Sequence, residues 1–267
     1  MLSEPSTSSP TYVTYWENAA GQVMPPYVAL ALVSMQKALG EKLIILTPSK
    51  LNSSIDPSIV KKHWSFYPLS FSLGHGIEDI IAKSDYVRMA WIQSYGGVWL
   101  DADTLMFGDP TKVLFPKGLS AKLHWYDESI FGSLPGNKLL EEALHLGIKE
   151  DKHHWGNPGS IKDLVVRYPS KTVMISRKVI DPGYRPQYNF KNCDVMRRTD
   201  INVKDFLKRP VSMLKLYNTY YRRTSHQIES VSDFLSNGSL LAKLFLNIEP
   251  REEFWLYKTK QLMDQLI

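Results

Sequence analysis

Hydrophobic and polar positions near the start of the chain predict a strand, a helix and a second strand. Residues 11–16, T-Y-V-T-Y-W, are β-branched and aromatic, which is typical of a strand. Pro25-Pro26 begins a helix whose apolar positions recur at helical spacing as far as Gly40. Residues 42–47, K-L-I-I-L-T, predict a short buried strand. This order of elements indicates a parallel α/β sheet with a right-handed crossover.

The next apolar pattern contains two charged residues. Ile77, Ile81 and Ile92 recur on one side of a predicted helix. Asp85 and Arg88 lie on that same side, where a charge is costly unless it is paired or hydrogen-bonded. Two interpretations stay open, because the residues either form a buried i,i+3 ion pair or bind a ligand.

Two aspartates follow this helix at the end of a predicted strand. Gly96-Gly97 ends the helix, and residues 98–100 begin a buried strand. Because side chains alternate along a strand, Asp101 and Asp103 are predicted to project together from its carboxyl end, where ligands of α/β sheets bind. Carboxylates this close repel each other without a cation, and oxygen ligands suit Mg²⁺ or Mn²⁺. The alternative is a solvated turn in which the pair is incidental.

The remaining pattern predicts further strands and helices. We expect strands at 119–126, 129–134 and 172–179, helices at 138–147 and 161–168, and two helices after residue 228. In the last helix Trp255, Leu262 and Leu266 share one side. That side either packs against the protein or contacts a membrane surface.

Composition predicts one large domain, or a domain with a small appendage, in a reducing compartment. The 267 residues are 43% hydrophobic and 22% charged, as in ordinary globular proteins. No apolar run is long enough to span a membrane, and residues 1–10, rich in Ser and Pro, are expected to be disordered and lack a secretory pattern. A single cysteine, Cys193, excludes an internal disulfide. These features favour the cytoplasm.

Positive charge is concentrated in one segment. The net charge is +5, and residues 191–223 contain nine Lys or Arg against three Asp. Such a segment fits a nucleic acid, an anionic membrane surface or a diphosphate. Because no nucleic-acid-binding motif is present, nucleic acid is not a predicted partner.

The aspartate pair and the helix before it resemble a known family. The run S-D-Y-V-R…Y-G-G-V-W-L-D-A-D, residues 84–103, is similar to the S-D-x-x-R…Y-G-G-x-Y-x-D-x-D block of D-x-D glycosyltransferases. These include capsular polysaccharide synthesis proteins and clostridial glucosylating toxins. The opening Trp16, Met24, Pro25, Pro26 and Tyr27 also resembles the capsular family.

This resemblance implies a fold and a domain plan. The fold is α/β of GT-A type, a single Rossmann-like domain with a mixed central sheet and a helical C-terminal extension. The domain spans residues 11–267, with a nucleotide-sugar-binding half at 11–110 and an acceptor half with the C-terminal helices at 111–267.

The resemblance also implies a nucleotide-sugar donor, a UDP-hexose, and transfer with retention of configuration. Asp103 and Asp101 would be the catalytic pair that holds Mn²⁺ or Mg²⁺, with Asp101 also near the donor. Asp85 and Arg88 would hold donor-sugar hydroxyls. Tyr15 and Trp16 would lie on the nucleotide side, with Trp16 stacked on the base, unless Trp16 is a half-buried core residue.

The chain departs from the family at Lys215. Relatives have a histidine near the metal or diphosphate, where this chain has Lys215 followed three residues later by Asn218. A protonated lysine does not ligate a metal but suits a phosphate oxygen. We therefore expect Lys215 to contact the diphosphate, and Asp103 to hold the metal with Asp101, Asn218 or water. In the alternative, Lys215 is a surface lysine and His154 completes the site.

The segment around residues 153–160 resembles the Gly-Pro loop that lines the acceptor side in relatives. His154 and Asn157 lie in it. The implied acceptor is a glycan or lipid-linked oligosaccharide of surface polysaccharide synthesis. The implied location is the cytoplasm, with peripheral contact between the protein and the inner, anionic face of the membrane.

Two other functions are compatible with the residues. A two-metal phosphoryl or nucleotidyl transferase also uses paired aspartates, but it needs a third carboxylate and a phosphate loop, and no G-x-x-x-x-G-K-[ST] is present. A non-catalytic carbohydrate- or nucleic-acid-binding module would use the basic, aromatic segment instead.

Overall fold

A computed structural model describes residues 9–18, 21–47, 77–149, 161–180, 194–207, 211–216 and 230–266. The chain divides into two compact units. The first consists of Met1–Ala20, Glu41–Leu100 and Thr111–Ile175, and the second of Gly21–Gly40, Asp101–Pro110 and Ser176–Ile267.

Eight strands and ten α-helices are described. The strands are β1 (Tyr12–Tyr15), β2 (Leu43–Leu46), β3 (Gly97–Leu100), β4 (Thr104–Met106), β5 (Leu123–Asp127), β6 (Ile130–Ser133), β7 (Thr172–Met174) and β8 (Met213–Lys215). The helices are α1 (Pro26–Leu39), α2 (Ile77–Tyr95), α3 (Thr111–Leu114), α4 (Lys138–Lys149), α5 (Ile161–Arg167), α6 (Arg177–Ile180), α7 (Val203–Phe206), α8 (Val231–Ser236), α9 (Leu240–Ile248) and α10 (Glu252–Leu266).

The first unit is built on a six-stranded mixed sheet in the order β2-β1-β3-β6-β5-β7. Strand β1 pairs in parallel with β2 and β3, β6 runs antiparallel to β3 and β5, and β7 is parallel to β5. The inner strands are apolar and buried, as expected for strands covered on both faces. The predicted α/β class, the mixed central sheet and the parallel pairing of the first two strands are therefore confirmed.

Two consecutive glycines let β3 begin immediately after α2. Gly96 and Gly97 have φ angles of 70° and 101°, which L-residues with a side chain rarely adopt. A Cβ on Gly97 would lie 2.6 Å from the carbonyl oxygen of Thr11. That oxygen accepts a hydrogen bond from the amide of Val98 at 2.8 Å, so the absent side chain lets β3 start beside β1.

The core of the first unit lies between the sheet and helices α2, α4 and α5. Large residues of all these elements form one buried cluster, among them Trp91, Trp99, Phe131, Leu140 and Leu164. Each helix contributes an apolar stripe at helical spacing, and the strands contribute the facing side chains. The core therefore holds the end of β3 in place.

The second unit contains the two-stranded antiparallel sheet of β4 and β8 and several helices. The hydroxyl of Ser34 in α1 accepts a hydrogen bond from the amide of Met106 in β4 at 3.0 Å. Lys37 of the same helix pairs with Glu249 at 3.0 Å. Near the C-terminus, the indole of Trp255 donates to the carbonyl oxygen of Glu249 at 2.8 Å. Helix α1 is thus fastened both to β4 and to the segment before α10.

Several elements differ from the sequence predictions. The predicted strand at 119–126 begins only at Leu123, because pairing with the neighbouring strands starts there. The predicted strand at 172–179 ends at Met174, because only residues 172–174 lie beside β5, and α6 follows. The C-terminal segment forms three helices instead of two, since Ser230 and Ser239 each cap a helix start and Gly238 separates those two helices with a φ of 71°. Strand β4 was not predicted, because its three residues are too short for a periodic pattern.

The last helix agrees with the packing interpretation of its apolar side. Trp255 and Leu262 of α10 are buried and Leu266 is half-buried. In the described part of the chain, no helix combines the length and the apolar character needed to cross a membrane. The predicted disordered segment at 1–10 lies outside the described residues, apart from its last two positions.

Candidate functional site

The aspartate pair lies in the turn between two strands of different sheets. Strand β3 ends at Leu100, Ala102 and Asp103 form a turn, and β4 begins at Thr104. The expectation that Asp101 and Asp103 alternate along one strand is therefore wrong. The strand stops because its ladder with β6 ends at Leu100.

A second segment of the same unit fixes what faces these aspartates. Strand β8 runs antiparallel to β4, with Lys215 opposite Thr104. The amide of the next residue, Leu216, donates to the carbonyl oxygen of Asp103 at 2.8 Å. The ladder therefore delivers the side chain of Lys215 to the turn that contains both aspartates.

The ammonium group of Lys215 contacts both carboxylates. Its Nζ lies 2.7 Å from Oδ2 of Asp101 and also donates to Oδ1 of Asp103. The side chains of Asp103 and Lys215 are 6% and 11% exposed, and that of Asp101 is 24% exposed. We call these three residues the D-x-D cluster; Asp101 is the member that solvent or a ligand reaches most easily.

Electrostatics keep this lysine charged. Burial disfavours the ammonium and by itself lowers the pKa of Lys215. The charges of Asp101 and Asp103 and the hydrogen bonds to them outweigh burial, so the pKa is raised above its ordinary value. The alternative of a solvated surface lysine is therefore wrong, since Lys215 is buried and doubly paired.

A divalent cation does not fit this arrangement. The position between the two carboxylates, where Mn²⁺ or Mg²⁺ was expected, is taken by an ammonium group that cannot be a ligand while protonated. Within the described ranges, no three or more His, Cys, Asp or Glu side chains are grouped to hold a metal. Asn218, expected to assist as a ligand, lies outside the described residues. The metal site therefore stays a prediction of the family resemblance.

Asp85 and Arg88 form an ion pair inside the first unit. Nη2 of Arg88 lies 2.7 Å from Oδ1 of Asp85, and the side chains of Arg88 and Asp85 are 9% and 11% exposed. Nη1 of Arg88 also donates to the carbonyl oxygen of Glu128 at 3.0 Å. Burial raises the pKa of the Glu128 carboxyl group, which Arg88 partly offsets. Asp85 and Arg88 thus have the geometry of the buried i,i+3 ion pair that was one of the two predicted interpretations. Binding of the donor sugar by these residues stays a prediction.

Sequence reasoning missed Glu128 as a partner of this pair. Glu128 is 40 positions from Arg88 and lies in the turn between β5 and β6. No spacing rule connects a helix side chain to a carbonyl oxygen in a distant turn. The only available signal was the prediction that these strands join near residues 127–128.

The two aromatic residues at the end of β1 differ in their surroundings. Tyr15 belongs to the buried core of the first unit, and its hydroxyl donates to Glu17. Burial first, and then the charge of Glu17, raise its pKa. Trp16 is half-buried, its amide donates to the carbonyl oxygen of Leu46 at 3.0 Å, and its indole donates to Asn18 at 2.8 Å. Trp16 is therefore the better placed of the two to offer a ring face to a ligand.

The acceptor-side residues His154 and Asn157 lie outside the described residues. The described candidates fall into two sets. Tyr15, Trp16, Asp85 and Arg88 belong to the first unit, and Asp101, Asp103 and Lys215 belong to the second.

Part of the chain matches a known family model. Residues 25–117 match the glycosyltransferase sugar-binding region containing DXD motif. The match covers about a third of the chain and includes Asp85, Arg88, Asp101 and Asp103. It supports a glycosyltransferase. Membership of the capsular polysaccharide synthesis family stays a prediction.

The chain is also similar to solved structures of glycosyltransferases. The chain is similar to the PaToxG glycosyltransferase, with a TM-score of 0.44 and 8% identity over 90% of this chain and 87% of that one. Two structures of the glycosyltransferase GlyE of Streptococcus pneumoniae TIGR4, one in apo form, have TM-scores of 0.48 and 0.47 and identities of 12% and 11%. They cover 96% and 97% of this chain, which spans 64% of each GlyE chain. No curated protein matches the chain.

Proposed function

We propose that this protein is a GT-A type hexosyltransferase that moves a sugar from a UDP-sugar to a hydroxyl group of a glycan or lipid-linked oligosaccharide. The observation that supports this most is the pairing of Asp101 and Asp103 with the ammonium group of Lys215. Both aspartates lie within the segment that matches the glycosyltransferase sugar-binding region. Within this cluster, the ammonium group of Lys215 is the group that suits a phosphate oxygen of the donor.

The D-x-D cluster is proposed to act at the diphosphate end of the donor. In the reaction, the bond from the anomeric carbon to the β-phosphate oxygen breaks, and UDP leaves with the bonding electrons. The acceptor hydroxyl oxygen forms the new bond to that carbon, and its proton passes to the departing β-phosphate oxygen. Negative charge develops on the leaving UDP, and a preorganised cation beside it lowers the barrier.

The remaining donor contacts are proposed from the resemblance. Trp16 stacks on the base with Tyr15 behind it in the core, and Asp85 and Arg88 bind donor-sugar hydroxyls. Retention of configuration is part of the same proposal, and we nominate no nucleophile. The resemblance also implies Mn²⁺ or Mg²⁺ as a cofactor, which the D-x-D cluster with Lys215 between its carboxylates does not fit.

The biological setting is likewise proposed. The acceptor belongs to surface polysaccharide synthesis, with His154 and Asn157 on the acceptor side. The enzyme acts in the cytoplasm, with peripheral contact to the anionic inner face of the membrane. The basic segment 191–223 supports this contact through its net charge of +6.

The test is a screen of UDP- and GDP-sugars for hydrolysis and transfer, run both with Mn²⁺ and with a chelator. Release of UDP from one UDP-sugar is expected, and Asp103→Asn should lower it roughly 10²-fold or more because a carboxylate that organises the cation is lost. Asp205→Asn, an exposed aspartate of α7 in the same unit, is the matched control and should leave the rate unchanged. Near-normal turnover by a folded Asp103→Asn protein contradicts the proposal. In a parallel incubation with nucleoside triphosphates, release of pyrophosphate or phosphate would indicate a phosphoryl or nucleotidyl transferase instead.

A further inference from the structure

The D-x-D cluster already contains its own cation. The ammonium group of Lys215 contacts two carboxylates. Its Nζ lies 2.7 Å from Oδ2 of Asp101 and donates a hydrogen bond to Oδ1 of Asp103. The positive charge of the ammonium offsets the repulsion between two carboxylates that contact the same atom. Lys215 supplies that charge, although it lies more than a hundred positions after the aspartates in the chain.

A divalent ion and this ammonium exclude each other. An ion bound to Oδ2 of Asp101 at about 2.0–2.2 Å would lie within a few ångströms of Nζ, which is itself 2.7 Å from that oxygen. Two cations so close in a mostly buried site repel strongly. Binding of Mn²⁺ or Mg²⁺ therefore requires that Lys215 first leaves.

The burial of Lys215 opposes such a departure, and the backbone of its strand fixes where its side chain begins. Its strand is paired with β4, and the hydrogen bond from Leu216 to Asp103 holds the following residue against the D-x-D turn. The side chain is largely buried, so an ammonium that left both carboxylates would stay in a poorly solvated position without them. The two ion pairs and the burial of the side chain therefore favour the ammonium group of Lys215 over a divalent metal at the position between the carboxylates.

We propose that the ammonium group of Lys215 is the resident cation of the D-x-D pair and replaces the divalent metal at this site. This deepens the proposed function, on which it rests, by assigning the cation that faces the donor diphosphate. Asp101, the more exposed carboxylate, is the partner that gives way when a phosphate oxygen approaches the ammonium. The protein binds its nucleotide without Mn²⁺ or Mg²⁺.

The first experiment measures Mn²⁺ binding without any nucleotide, by electron paramagnetic resonance of the free ion. Wild type is expected to bind no stoichiometric Mn²⁺ at millimolar concentration. Lys215→His removes the ammonium and adds a nitrogen ligand to the two carboxylates, so it should bind one Mn²⁺. That binding should disappear in Lys215→His/Asp103→Asn. Lys204→His, at an exposed lysine of the same unit, is the control and should bind none.

One Mn²⁺ bound to wild type and lost in Asp103→Asn would overturn the proposal. Failure of Lys215→His to gain Mn²⁺, although circular dichroism shows it folded, also counts against it. Should Lys215→His not fold, the wild-type and Asp103→Asn measurements decide alone.

The second experiment measures UDP affinity by calorimetry with Mn²⁺ and with a chelator. Wild type should show the same affinity in both conditions to within about threefold, whereas Lys215→His should bind at least about tenfold more tightly with Mn²⁺. Loss of wild-type UDP binding in the chelator overturns the role of Lys215 but leaves glycosyl transfer standing. If no UDP or UDP-sugar binds in either condition, the proposed function fails, and the nucleotide-free Mn²⁺ measurement still decides the identity of the cation.

Discussion

The amide of Leu216 donates a hydrogen bond to the carbonyl oxygen of Asp103 at 2.8 Å. This bond extends the ladder of β4 and β8 by one residue into the D-x-D turn. Since Lys215 immediately precedes Leu216, the ladder fixes the point from which its side chain extends toward the aspartates. The charge arrangement of the site is thus fixed by the backbone of the second unit as well as by the attraction between the side chains.

The ion pair of Asp85 and Arg88 allows its structural and functional roles to be separated. Replacing both together, as Asp85→Leu/Arg88→Met, should leave the fold stable, because buried pairs often exchange neutrally for packed apolar residues. Asp85→Ala alone should cost roughly 3–5 kcal/mol, because the largely buried guanidinium of Arg88 would lose its carboxylate partner. If the pair holds the donor sugar, the folded double variant loses UDP-sugar hydrolysis.

Chemical unfolding and the hydrolysis assay measure the two effects. The control is Lys138→Met/Glu141→Leu, which removes an exposed i,i+3 pair and should change stability by less than about 1 kcal/mol. Full activity in the double variant of Asp85 and Arg88 would return that pair to a structural role only.

Trp16→Ala should weaken the binding of UDP itself. Loss of one base-stacking ring costs about 1–3 kcal/mol, and Trp16→Phe should recover part of it. Tyr257→Ala, at an exposed aromatic residue of α10, is the control. Calorimetric titration with UDP is the measurement, and an unchanged affinity in Trp16→Ala would make Trp16 a purely structural residue.

Gly97→Ala should destabilise the first unit. The new Cβ would meet the carbonyl oxygen of Thr11 at 2.6 Å, and the backbone at this position has a φ of 101°. We expect a loss of more than about 1 kcal/mol in the free energy of unfolding, because both the contact and the conformation are unfavourable. Gly108→Ala is the control, since a Cβ there meets no atom within 4 Å. Equal stability of the two variants would show that β1 and β3 tolerate a wider spacing.

Glu249 should make stability depend on acidic pH. Hydrogen bonds from Arg251 and then Lys37 lower the pKa of Glu249 to about 2. Because the folded pKa lies below that of the unfolded chain, the stabilisation is fully present above the unfolded value. It is lost as pH falls from there through the folded value.

Urea unfolding between pH 7 and pH 2 tests this expectation. The stability difference between wild type and Glu249→Gln should be largest near neutral pH and shrink as the medium becomes acidic. Glu253→Gln, an exposed carboxylate at the start of α10, should show a much smaller difference. A difference for Glu249→Gln that is constant across this range would contradict the assigned pairing.

Sequence alone determined the local elements and the candidate chemistry. Apolar spacing identified the parallel pair β1 and β2, and the Gly96-Gly97 break identified the end of α2 and the start of β3. These features depend on neighbours a few positions apart, which periodicity and glycine conformation describe. The D-x-D motif, read with the helix before it, also indicated a glycosyltransferase.

Tertiary structure alone decided which charges meet. Lys215 and Asp103 are 112 positions apart, and Arg88 and Glu128 are 40 apart. Such contacts depend on strand register and on how strands and helices pack, and neither is encoded in local spacing. From the sequence, Lys215 was expected beside the diphosphate, and a metal was expected between the aspartates. The pairing of β8 with β4 instead places Lys215 itself between the aspartates.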